Sequence, residues 1–283
     1  MVPSLSTFRS ALLAVTLAAS QAAHAAAPEP MRIVLLNGRS IPITSVQLQA
    51  ENLIVTTAFE SFAKDQIIPF AIADHVFGPQ PAELKQAVAQ LLTGQAKEAR
   101  KLVEPLVSQH RITAKIPGNY WIASARTLLL ASAVMGDAAK CTEIGKELSE
   151  VTSSKGSDPF VALGRALLLP AATKAEERKI ALSDLTNANS LQAEVCAYAA
   201  FYLGNLHREA KRNDKALEAY LSVPCLYPSG GLVILAAAEI QAAELLSALS
   251  RPLEAVALLN SAVRDAAGTP LVDEAAKLLK SLE

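Results

Sequence analysis

AYAAFYLGNLHREAKRNDKALEAYLSVPCLYPSG, residues 197–230, holds Leu203-Gly204, then Ala216, Tyr220 and Pro228. The run reads as two antiparallel helices joined by a tight turn near residue 210. Gly204 and Ala216 lie twelve residues apart, the spacing that sets two small residues opposite each other in such a pair. Small residues there let the helices approach closely, while Leu203 and Tyr220 fill the remaining volume.

Composition agrees with helix-on-helix packing. The chain has 283 residues and an apolar fraction of 51%, yet aromatics are only 5%, so Ala and Leu carry the hydrophobicity. A β-sandwich would draw instead on branched and aromatic residues. With 26 basic and 27 acidic residues the formal charge is −1, which gives no global electrostatic reason to bind nucleic acid.

The order Leu203-Gly204, Ala216, Tyr220, Pro228 resembles the tetratricopeptide (TPR) repeat. In that family Trp-x2-Leu-Gly-x2-Tyr leads to Ala-x3-Phe and then Pro within about 34 residues. Tyr220 stands for the Phe, and Ala200 and His207 occupy the Trp and Tyr positions. The resemblance implies an α-solenoid whose first helices line a concave groove. Carried onto this stretch, the family's groove-facing positions become Tyr198, Phe201, Asn205, Arg208 and Glu209. The same register adds Arg126, Ile240 and Glu244 from neighbouring helices. Two aromatics, an amide and a cation would suit a peptide or protein partner. The competing reading is a solvated helix face with Tyr198 and Phe201 packed on the next repeat.

Upstream, residues 1–25 read as a secretory signal. Arg9 lies in a short basic region, Ala11–Ala19 is apolar, and Ala23-His24-Ala25 offers a small-residue cleavage site. Export to a periplasm or cell envelope follows from that reading, and no later stretch is apolar enough to span a bilayer. Residues 31–78 are expected to form a small antiparallel β barrel or sheet. Runs rich in Val, Ile and Thr (Arg32–Leu36, Ile41–Gln49, Leu53–Thr57, Gln66–Phe70, Ala73–Phe77) are broken by Asn37-Gly38 and Glu51-Asn52. Pro42 and Pro69 place two of these strands at edges or bulges. The layout resembles SH3-like or Sm-like modules in outline.

From Pro79 to residue 283 the period is helical, and the fold class is mostly α: about five TPR-like helix pairs and a terminal helix that covers the open end. Turns are expected at Gly94, Gly136-Asp137, near residue 210 and at Ser250–Pro252. Thr173–Glu176 reads as a capping box that opens a helix over Lys174–Asn187.

Chemistry-bearing motifs are sparse. The exported chain keeps His75, His110 and His207, none in a zinc-ligand spacing, and there is no phosphate loop, dinucleotide fingerprint or nucleophile elbow. No catalytic residue, metal or cofactor is therefore assigned. Glu176-Glu177 and Asp273-Glu274 read as first-turn carboxylates that complement helix dipoles. His207 reads as a packing residue or a pH-dependent contact. Lys97, Arg100, Lys101, Lys211, Arg212 and Lys215 read as solvated surface. Cys196 and Cys225 sit equidistant from the turn near residue 210, so a disulfide and two buried free thiols both fit. Cys141 is left unpaired. Together these features point to an exported, non-catalytic scaffold that binds a protein or peptide. A self-associating structural subunit, or an envelope enzyme with a site near His75 and His110, are the alternatives.

Overall fold

The structure, a computed structural model, describes residues 30–152, 157–188 and 191–282. The signal-sequence reading of residues 1–25 lies outside them. The described chain is mostly helical, with two small antiparallel sheets at its N-terminal end.

Strands β1 (Arg32–Leu35), β2 (Ser40–Pro42) and β6 (Ala73–Phe77) form one sheet in the order β2-β1-β6. Strands β3 (Val46–Gln49), β4 (Asn52–Val55) and β5 (Ile67–Pro69) form the other, in the order β3-β4-β5. The two sheets do not close into a barrel. The expected single run Ile41–Gln49 is cut at Pro42, and Pro69 ends β5 in the same way. Proline has no N–H to extend a ladder, so each chain leaves its sheet through a 3₁₀ turn (Ile43–Ser45, Phe70–Ile72) and enters the other.

This arrangement is a repeat. β1-β2-turn-β3 and β4-β5-turn-β6 are two copies of one unit, and each gives its third strand to the other's sheet. Ile33 pairs with Ile41 as Leu53 pairs with Ile68, and all four are buried. Ile43 N–H donates to Met31 O at 2.9 Å as Phe70 N–H donates to Glu51 O at 3.0 Å. The two copies differ in their outer edges. Val76 N–H of β6 donates to Pro117 O at 2.8 Å, and Ile116 enters the β core. A side chain at Gly118 would meet Val76 O at 2.8 Å, so that close approach requires glycine. At the β3 edge Leu48 stays exposed. Segment 111–120 thus anchors the sheets to the helices, helped by Tyr120 Oη donating to Gly78 O at 3.2 Å.

The helices are α1 (Ala82–Leu92), α2 (Ala96–His110), α3 (Trp121–Val134), α4 (Ala138–Thr152), α5 (Pro159–Leu168), α6 (Ala171–Asn187), α7 (Ala193–Glu209), α8 (Asn213–Leu226), α9 (Leu232–Ala248), α10 (Pro252–Asp265) and α11 (Leu271–Ser281). Four of the five pairs turn identically. The N–H of Gln95, Asp137, Arg212 and Arg251 reaches back to the carbonyl five residues earlier, at 2.7–2.9 Å. The preceding residue is in each case left-handed: Gly94, Gly136, Lys211 and Ser250. That is the Schellman closure, which satisfies carbonyls the helix end leaves open. The pair α5–α6 lacks it and bends at Pro170 instead. There α6 starts at Ala171 rather than Lys174, and the Lys174 backbone is non-helical, so the expected capping box marks a kink.

The odd-numbered helices form an inner row: α1 packs on α3, α3 on α5, α5 on α7, α7 on α9, and α9 returns to α1. Helices α3 and α9 are accordingly buried on nearly every side, as their apolar-all-round sequences require, and α7 is so over Val195–Tyr202. Outer helices such as α10 bury a single stripe, Ala255, Leu259 and Ala262. Helix α11 packs on α10 and α9. Within the pair that opened the sequence reading, the Tyr220 ring lies over Gly204, where a Cβ would come within 2.5 Å of it. Phe201 packs on the same ring with centroids 5.7 Å apart.

Gly204→Ala is therefore expected to destabilise the protein by about 2 kcal/mol through overpacking, read from the midpoint of urea unfolding. An unchanged midpoint would show that Tyr220 has room to move.

Candidate binding concavity

Helix α5 opens with Asp158-Pro159-Phe160, an N-cap carboxylate followed by proline at the first helical position. Asp158 Oδ1 accepts the Phe160 N–H at 3.0 Å. Its other oxygen accepts from Arg126 of α3, with Nη2 at 2.9 Å and Nε at 3.3 Å. Arg126 also donates through Nη1 to Glu194 of α7 at 3.0 Å, and its guanidinium lies 4.6 Å above the Phe160 ring. Asp158 is buried, whereas Glu194 keeps an open side. Burial raises the Glu194 carboxyl above its ordinary range; Arg126 opposes this and the Asp158 charge adds to it.

Arg126, Phe160 and Glu194 line a concavity of about 270 Å³ between the inner helices, with Asp158 buried behind Arg126. Lys85 of α1, Tyr198 of α7 and the first turn of α9 (Leu232–Ile234) complete its walls. Lys85 Nζ donates to Ala267 O, which ties α1 to the C-terminal end of the row. Helix α9 follows Gly231, with no side-chain cap and no acidic residue in its first turn, so its leading amides lack a side-chain acceptor. The concavity thus combines a carboxylate, two cations and a helix N-terminus. It can hold a polar group by charge and hydrogen bonding.

Of the residues assigned to a groove from sequence, Arg126 and Tyr198 meet here. Tyr198 is only 6% exposed and packs edge-on to Phe160, with centroids 5.6 Å apart. Phe201 and Ile240 do not face a groove at all; they are 1% and 0% exposed in the core. Because α9 returns to α1, the inner face is filled by neighbouring helices where an open solenoid would present it. Asn205, Arg208 and Glu244 form a separate polar cluster. Arg208 pairs with Glu244 at 2.6 Å and with Gln241, and Tyr220 Oη donates to Asn205 Oδ1 at 2.7 Å. Glu209 is exposed beside it in sequence. Lys85, Asp158 and Glu194 were not assigned from sequence. Asp158 was legible as a cap, but its ion partner lies 32 residues away.

The cysteines are free. Cys196 is buried with its thiol on Leu185 O at 3.4 Å, toward α6, while Cys225 is exposed, so the two are not bridged. Cys141 is buried, and desolvation raises its thiol to about 11. His75 is exposed and contacts Asp74 at 2.8 Å; His110 is buried and its pKa is lowered by desolvation. Neither reaches the concavity. Among the described residues no group of three or more His, Cys, Asp or Glu is arranged to hold a metal ion, and no helix is long and apolar enough to cross a membrane.

Comparison with protein-family models, curated proteins and solved structures finds no match.

One buried carboxylate stands apart from the concavity. Glu239 of α9 is 5% exposed, and its Oε2 has no hydrogen-bond partner. Desolvation raises its pKa to about 7 from an ordinary 4.5, with Ser261 opposing too weakly to cancel the effect. Since the folded-state pKa exceeds the unfolded one, the penalty is absent below about pH 4.5, grows as pH rises, and is complete above about pH 7. Glu239→Gln is expected to be more stable than the parent by about 3 kcal/mol at pH 8 and nearly equal to it at pH 4. Equal pH profiles for the two proteins would contradict this. At the concavity, Asp158→Ala strands the Arg126 charge and removes the α5 cap, a loss of about 3–5 kcal/mol in denaturant unfolding. Glu194→Gln, whose partner keeps Asp158, should cost under about 1 kcal/mol.

Proposed function

We propose that this chain is an exported, non-catalytic protein-interaction scaffold of TPR type. The helix pairs form its frame, and the Arg126–Glu194 concavity receives a polar segment of a peptide or protein partner. The observation that carries this reading is the meeting of Lys85, Arg126, Glu194 and the uncapped start of α9 at one concave point of the inner row. Exposed Leu232 at its rim, 58% accessible, adds apolar area beside the charges. Four repetitions of one turn geometry support the repeat character. Export rests on the signal-like residues 1–25.

A second reading, a self-associating envelope subunit, draws on the α9–α10 turn, where Leu249 and Leu253 are both exposed, Leu253 at 85%. Light scattering during size-exclusion chromatography separates the readings: a dimer or larger species that Leu253→Glu returns to monomer favours self-association.

The scaffold reading is tested with the double variant Lys85→Ala/Glu194→Gln, which leaves the Arg126–Asp158 pair intact. A partner recovered from envelope extract on the parent protein should be lost, or weakened by more than about tenfold, on the variant, with the thermal midpoint retained. Equal recovery on both would remove the concavity as the binding point.

A further inference from the structure

The turn between α7 and α8 gathers three cations, Lys211, Arg212 and Lys215, that have no ion pair among the described residues. In the α3–α4 turn the residue at the start of the second helix is Asp137, whose carboxylate accepts the Lys140 N–H at 3.0 Å. In the α9–α10 turn it is Arg251, which is neutralised by Glu254. In the α7–α8 turn it is Arg212, which has no ion pair among the described residues and no oxygen with which to cap α8. Lys211 and Lys215, on either side of it, also lack ion pairs there. Cations at a helix N-terminus oppose the helix dipole; Asp214 in the first turn of α8 complements it, but no side chain caps the leading amides.

The same cations converge on a hollow. Lys179 of α6, His207 of α7, and Arg212 and Lys215 at the start of α8 line a concavity of about 340 Å³. A second one of about 280 Å³ shares Lys179, His207 and Arg212. The His207 ring is half-buried between them. Burial first, and then Lys215, Arg212 and Lys179, lower its pKa; Glu218 acts weakly in the opposite sense. The other charges facing the hollows are Asp184 in the larger and Glu176 and Glu209 in the smaller; Glu176 is paired with Lys179, and neither Arg212 nor Lys215 makes a direct ion pair among the described residues, so the larger hollow sets three cations against one carboxylate.

We propose that this hollow, framed by Lys179, His207, Arg212 and Lys215 over the uncapped start of α8, is a binding site for a tetrahedral oxyanion of the phosphate and sulfate class. Such an anion accepts from the helix amides and the two unpaired cations, and relieves the repulsion around His207. Protonated His207 then becomes a further donor, so anion binding and protonation reinforce each other. Binding tightens as pH falls through the His207 pKa, and the anion raises that pKa by the same factor, since linkage is reciprocal. The site is separate from the Arg126–Glu194 concavity and does not depend on its role.

Sulfate is the probe, because it remains dianionic across the titration. In the full chain the His207 ring resonances are followed by NMR from about pH 8 to about pH 5, in sulfate and in chloride of equal ionic strength. The expected result is a His207 pKa higher in sulfate by about one unit, with sulfate affinity roughly tenfold tighter at the acid end. Backbone amides of residues 212–215 should shift in parallel. Arg212→Gln/Lys215→Gln changes only exposed side chains, so it is expected to fold normally. It should bring the His207 pKa in chloride closer to its ordinary value and abolish the sulfate response. If sulfate moves neither the His207 titration nor those amides beyond what chloride does, the proposal is overturned. It is equally overturned if the double variant responds like the parent.

Discussion

The return of α1 onto α9 is the constraint on which the helical part depends. It turns a row of helix pairs into a closed set, in which the first helix of each pair has a neighbour on both sides and an outer helix behind it. Such helices must be apolar nearly all round, and α3 and α9 are. They must also be slim where they touch. Gly204 under the Tyr220 ring and Gly164 against Leu129 are two places where a methyl group would not fit. Polar groups survive inside only where partners surround them, as Asp158 does between Arg126 and the α5 amides.

The closure also decides where recognition can occur. An open solenoid offers a long inner groove; here that face is mostly packed, and what stays accessible is the end where Lys85, Arg126, Glu194 and the start of α9 meet. The turns on the outer side are accessible as well. Asp137 caps the α3–α4 turn and Glu254 pairs with Arg251 in the α9–α10 turn, while the α7–α8 turn gathers unpaired cations near His207. The two regions offer different chemistry: an Arg126–Glu194 ion pair in the first, and in the larger hollow of the second three cations against one lining carboxylate, Asp184.

Much of the fold was legible. Gly94, Gly136 and the Gly204–Ala216 spacing mark turns and contacts, because only small or left-handed-tolerant residues serve there. Asn37-Gly38 marked the first hairpin, with Gly38 left-handed as that turn requires. The duplication in the β unit was present as Ile41-Pro42 and Ile68-Pro69, but its unequal loops hid it, and strand exchange between sheets leaves no local trace. Lys211 and Ser250 take left-handed conformations that their residue types do not announce.

The sequence by itself determined which segments are helices or strands, where the turns fall, and which residues are small enough to be contact points. These are local properties, set by periodicity and by the backbone limits of Gly and Pro. Tertiary structure alone decided which face of each helix is closed. Tyr198, Phe201 and Ile240 occupy the register of a groove, yet they are buried: Tyr198 lies against Phe160 of α5, Phe201 against Tyr220 of α8, and Ile240 is on α9, onto which α1 packs from more than a hundred residues away in the chain. Helical periodicity fixes a residue's direction around its own axis. What stands in that direction depends on contacts distant in sequence, and the pairing of Arg126 with Asp158 and Glu194 is of that kind.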